Sequence, residues 1–183
     1  MKTEDGRLKL TFSQTIDHYF IVVFLLIVPG LTVHNIYKIY VTHTYEGVRS
    51  AGELLATSVP FFILAIAFIF IQKNGLKFQV IKTRYTDEEF QEAVKRTIAD
   101  LKWQVEHNEK DFFRAYRRWD WAASWGEMIT IVKEKDQLFI NSICDPNKPS
   151  SVTSWGWNKK NIEVFRNNLT HVVNGQREHP TQA

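Results

Sequence analysis

The chain has a single cysteine, Cys144, among its 183 residues. No intramolecular disulfide can form, which fits a reducing compartment. The six histidines (18, 34, 43, 107, 171 and 179) show no i, i+4 pairing, and no C-x-x-C is present. No zinc site or other cofactor site is therefore expected. Phosphate-binding glycine loops, G-x-S-x-G elbows and H-E-x-x-H helices are also missing. A strong basic excess is lacking too: the formal net charge is +3. No nucleic-acid partner is expected from so small an excess. Flanked by Ile143 and Asp145, Cys144 reads as a small hydrophobe at a strand end.

What the sequence does have is two long apolar runs. The first is "YFIVVFLLIVPGLTV", Tyr19 to Val33, continued by "HNIYKIYV" to Val41. Tyr37 and Tyr40 suit a headgroup zone, and Lys38 can snorkel to it. Pro29 predicts a kink, because proline removes a backbone donor. The second run, "LLATSVPFFILAIAFIFIQ", Leu54 to Gln72, carries no charge. Pro60 is read near its start, where a missing donor matters least. Each run is long enough to span about 30 Å of hydrocarbon. The first is preceded by a long charged lead and followed by no clean cleavage site, so it reads as a retained helix rather than a signal peptide. His34 and Asn35 fall where that helix approaches the far headgroups and read as interfacial.

Lys2, Arg7 and Lys9 precede the first run, and Lys73, Lys77, Lys82 and Arg84 follow the second. The connecting loop carries only Arg49. The excess of Lys and Arg on one side predicts both termini in the cytoplasm. A cytosolic location makes the sequon at Asn168 a chance match.

Beyond residue 73 the pattern becomes that of a soluble domain. "LKFQVIKT", Leu76 to Thr83, alternates as a strand with Leu76, Phe78 and Val80 on one face. Thr86 and Glu89 have capping-box spacing, opening a helix over Asp87–Leu101. Strands follow at "KWQVEH" and "FFRAYRRW", then at "EMITIVKE" and "DQLFINSI", the last pair apolar enough to be central. A Pro- and Ser-containing loop leads to a final helix capped by Asn158 and running to Val173. The fold class read from this order is a two-helix transmembrane hairpin plus a soluble α+β domain, strand-helix-four strands-helix with a mainly antiparallel sheet. The boundaries are 1–18 for a cytoplasmic lead, 19–72 for the hairpin (helices 19–41 and 54–72), 73–174 for the domain and 175–183 for a flexible tail.

One stretch stands out, "RAYRRWDWAASWGEM", with an echo at "SVTSWGW". The candidate interaction or ligand residues are Arg114, Arg117, Arg118, Trp119, Trp121, Trp125, Trp155 and Trp157. Three uses fit them: core packing with arginines stacked on tryptophans, contact with headgroups, or recognition of a partner. If the stretch continues a strand, Ala115, Arg117 and Trp119 share one face, and Tyr116 and Arg118 the other. The expected function is a membrane-anchored, non-enzymatic interaction, assembly or accessory subunit. Its partners are the lipid bilayer and a protein or second copy engaged through the membrane helices. The alternative is a ligand or lipid sensor with a Trp-lined pocket. A third reading, an enzyme using Asp120, Glu127 or Cys144, ranks last.

Overall fold

A computed structural model describes residues 6–120, 124–148, 154 and 156–178, with the backbone alone at 119, 120, 124, 125 and 176–178. Two long apolar helices come first. α1 spans Phe12–Tyr37 and continues as a π-helical turn over Lys38–Thr42. It begins seven residues before the expected Tyr19, because Thr11 and Gln14 form a complete capping box. α2 spans Ala51–Gly75, opened by a second capping box between Ser50 and Glu53. Because α2 starts at Ala51, Pro60 lies in its interior and not near its start. Pro29 likewise falls within the continuous α1. Both helices are long and apolar enough to cross a membrane. The 25 residues of α2 rise about 37 Å. The two pack along each other and leave side chains such as Phe24, Phe62 and Phe70 exposed.

The remainder is an α+β domain: β1 (Gln79–Lys82), α3 (Asp87–Leu101), β2 (Trp103–Asn108), β3 (Phe112–Asp120), β4 (Ser124–Glu134), β5 (Gln137–Cys144) and α4 (Trp157–Glu178). The five strands form one antiparallel sheet in the order β1-β5-β4-β3-β2. α3 matches its sequence reading at both ends, with Thr86 and Glu89 capping each other. α4 starts one residue before Asn158, which lies inside its first turn. It also runs to Glu178, past the expected end at Val173.

α3 and α4 cover one face of the sheet. The core there holds Phe90, Trp103, Phe113, Ile129, Ile131, Leu138, Ile140, Phe165 and Leu169. Phe90 meets Phe113 and Phe165 edge to face at 5.8 and 5.9 Å. The alternation of each strand sends the next residues to the opposite face. There a second, smaller cluster forms from Leu8, Leu76, Met128 and Ile143, joined by Leu10, Phe78 and Tyr116.

The first strand is shorter than its sequence pattern suggested. α2 runs on to Gly75, and Leu76–Phe78 crosses the open face instead of pairing with β5. Arg7 and Lys77 form an antiparallel bridge, with Leu8 N–H donating to the Leu76 carbonyl at 2.8 Å and Phe78 N–H to the Gly6 carbonyl at 3.1 Å. Asn141 Nδ2 donates to the carbonyls of Gly75 and Lys77 at 2.9 and 3.0 Å. The lead into α1 and the exit from α2 are thus fastened together on one sheet face. The lead, expected to be a separate segment, is in part a component of the domain.

Candidate functional site

The Arg/Trp stretch is itself a hairpin. Strands β3 and β4 supply its two arms, and only residues 121–123 separate them. The stretch does continue a strand, and it contributes to both β3 and β4. Arg117 and Glu127 stand directly opposite each other on these arms, on the face covered by the helices. Arg117 Nε donates to Glu127 Oε2 at 2.6 Å, and both side chains are buried. The Arg117 guanidinium also lies 3.5 Å from the centroid of the Trp157 ring. Lys160 Nζ sits 4.2 Å from the same ring. α4 is thereby pinned at its first residue to the hairpin arm.

Next to this pair runs a buried polar chain. Trp103 Nε1 donates to Asn161 Oδ1 at 2.9 Å, and Asn161 Nδ2 donates to Ser142 Oγ at 3.2 Å. Ser142 Oγ in turn donates to Asn158 Oδ1 at 3.2 Å. A buried indole N–H needs such an acceptor, and Asn161 is fully buried to provide it. The sequence reading did not single out Asn161. The available signal was an asparagine four residues before Phe165, on the apolar stripe of an amphipathic helix.

Arg114 and Arg118 project from the opposite face of β3. Arg114 lies 5.1 Å from the Phe112 ring centroid and 3.9 Å from Glu106. Across the sheet it faces Thr130, which faces Asn141 in turn. Arg114 Nε, Thr130 Oγ1 and Asn141 Oδ1 are buried without a partner among the described residues. Arg118 is exposed, with Nε donating to Gln104 Oε1 at 2.9 Å. Trp119 and Trp125 are strand residues of which the backbone alone is described, and Trp121 and Trp155 lie outside the described residues. Asp120 falls under the same limit as Trp119. Glu127, weighed as a catalytic acid, is buried against Arg117, and Cys144 is half-buried at the end of β5.

Two open clefts adjoin these elements. One, of about 660 Å³, lies at the β4–β5 turn and includes Tyr85, Asp87, Asp111 and Lys133. Lys133 is buried, its Nζ 4.6 Å from the Phe90 ring centroid. Burial holds its amine below the ordinary lysine value, and Asp87 and Asp111 partly offset this. The other cleft, of about 520 Å³, lies on the open sheet face between β2, β3 and the turn after β5. Tyr116 lines it, and burial pushes its phenol above the ordinary value, reinforced by the Glu106 carboxylate. Neither cleft includes Trp157 among its lining residues. No group of three or more His, Cys, Asp or Glu able to hold a metal occurs among the described residues. Comparison of the chain with protein-family models, curated proteins and solved structures gave no match, so its function is argued from this geometry.

Proposed function

We propose that this chain is a two-span integral membrane protein with both termini in the cytoplasm. Its role is that of a non-enzymatic interaction, assembly or accessory subunit. The observation that carries this reading is the bridge between Arg7 and Lys77. It ties the start of one apolar helix to the end of the other, so a membrane hairpin would emerge from a single sheet face. The exposed apolar side chains along both helices support lipid as their surroundings. Arg7, Lys9, Lys73 and Lys77 gather at the joined end, against Arg49 in the far loop, which supports a cytoplasmic domain.

The short link from Gly75 to Gln79 keeps the domain at the bilayer surface, where it meets lipid headgroups or another protein. Ser58, Ala65 and Thr32 are buried within the hairpin, and small residues of this kind permit close helix packing. The remaining apolar surface is available to a second copy or a partner span. Carbonate washing should leave the protein in the membrane. A C-terminal reporter active only outside the cytoplasm should be silent. Release by carbonate, or strong reporter activity, would overturn the reading. Sedimentation of the detergent-solubilised chain should give a mass above that of the monomer. The sensor alternative needs its tryptophans in a cavity, and Trp157 instead packs on Arg117 and Lys160.

A further inference from the structure

The cleft of about 520 Å³ on the open sheet face has an unusual position. Its wall includes Asn147, whose Oδ1 accepts from Gln14 Nε2 at 3.0 Å and whose Nδ2 donates to Tyr116 Oη at 3.3 Å. The first turn of α1 therefore touches its wall through Gln14. Four residues further along α1, a ring nitrogen of His18 donates to the Gln72 carbonyl at 3.1 Å. His18 and Gln72 mark the level where both apolar runs begin and end, with Tyr19 and Ile71 the first residues beyond it. Four residues of helix rise about 6 Å. A bilayer's headgroup layer extends about 5–7 Å beyond each side of the hydrocarbon. On the membrane-spanning reading, the cleft thus lies at the depth of the phosphates.

Its chemistry fits that depth. Arg118 and Lys148 supply two cations, with Gln104 and Tyr116 as neutral hydrogen-bonding groups, while Arg117, also in the lining, is paired with Glu127. Gln104 holds the guanidinium at Nε, which leaves the two Nη groups as a fork suited to phosphate oxygens. Glu106 and Asp145 add two carboxylates to the same lining. Glu106 lies within 3.9 Å of Arg114, and Asp145 Oδ1 accepts from the Asn147 backbone N–H at 2.9 Å. A ligand of purely negative charge would meet these acids, whereas a zwitterion would match both sets of charges.

We propose that this cleft binds the headgroup of a phospholipid that carries both a phosphate and an ammonium, as phosphatidylethanolamine does. Arg118 and Lys148 take the phosphate, and Asp145, aided by Glu106, takes the ammonium. The bound lipid sits against the first turn of α1, with its acyl chains continuing along the hairpin. This inference rests on the membrane-spanning reading, and carbonate washing tests that reading separately.

The test is native mass spectrometry of the full chain in mild detergent, titrated with phosphatidylethanolamine or with phosphatidylglycerol. The expected result is one retained phosphatidylethanolamine per chain, with phosphatidylglycerol held about five-fold less well or worse. The double variant R118A/K148A should reduce that occupancy about ten-fold while its melting temperature stays unchanged. Equal occupancy in the wild type and the double variant would overturn the proposal, as would the absence of a single retained lipid. If the double variant does not fold, D145N provides the second arm. It should shift the preference toward phosphatidylglycerol, and an unchanged preference would refute the ammonium contact. Inorganic phosphate alone, added to lipid-free protein, should not bind at millimolar concentration. Binding there, abolished in R118A/K148A, would reassign the cleft to a free phosphate.

Discussion

Arg117 and Glu127 face each other across the β3–β4 hairpin at 2.6 Å, sealed beneath the ring of Trp157. Removing two charges from water is costly, and the pair persists because each charge answers the other. Glu127→Ala removes the carboxylate that answers the buried guanidinium and should cost about 3–5 kcal/mol. The double replacement R117M/E127L keeps the volume and removes both charges, so it should cost far less. Urea denaturation of the full chain in detergent, followed by near-ultraviolet circular dichroism, measures both. Equal losses would show that the pair acts through shape alone.

Thr130 supplies a test of opposite sign. Its hydroxyl is fully buried with no partner among the described residues, between Arg114 and Asn141 in register. Valine has the same shape without the polar atom. Thr130→Val should leave stability unchanged or raise it by up to about 1 kcal/mol. A loss larger than that would place a bridging group on the hydroxyl.

Lys133 gives a pH dependence. Its folded pKa lies below the ordinary lysine value of 10.5 because the amine is buried. Below the folded pKa both states carry the charge, and only the folded state suffers its burial. Between the folded pKa and 10.5 the unfolded chain binds more protons, so this group makes stability rise with pH. Lys133→Met removes the charge. Its stability relative to the wild type should be most favourable near neutral pH and should decline as pH approaches 10.5. Thermal melts of the two proteins in parallel buffers check this, and a difference independent of pH would contradict it.

The fastening at the foot of the hairpin can be loosened without touching the main core. Leu8 is buried with Leu76, Met128 and Ile143. Leu8→Asp places a charge among them and should detach the lead segment. Hydrogen exchange should then quicken at the Leu8 and Phe78 amides, both engaged in the bridge. Exchange at Ile129 and Ile131, in the core beneath α3 and α4, should hold. Uniform acceleration across the sheet would mean that the segment stabilises the whole domain.

How much of this was readable beforehand depended on the range of the signal. α3 was legible to the residue because Thr86, Glu89 and the Phe90-Val94-Ile98-Leu101 spacing are all local. Leu76, Phe78 and Val80 alternate as read, but alternation says nothing about what covers a face. Leu76 and Phe78 join the small cluster, Val80 is 43% exposed, and the residue that enters the main core is Ile81. Arg117 and Glu127 stand equally far from the hairpin tip, so their pairing was latent in the sequence. It was missed because no register was assigned to the two strands. The bridge from Arg7 to Lys77 had no local signature, since a contact across seventy residues leaves no period. α1 and α2 gave their hydrophobic cores readily, but their true starts lay in the caps at Thr11 and Ser50, outside the apolar runs.

The fastened foot also fixes an order of events during synthesis. Met128 and Ile143, against which Leu8 packs, emerge more than a hundred residues after it. At about 5–20 residues per second, the lead waits several seconds or longer for the surface that will hold it. Both apolar helices leave the ribosome within that interval. Both helices are therefore complete before the sheet can close over the lead, and closure brings the start of α1 and the end of α2 together last.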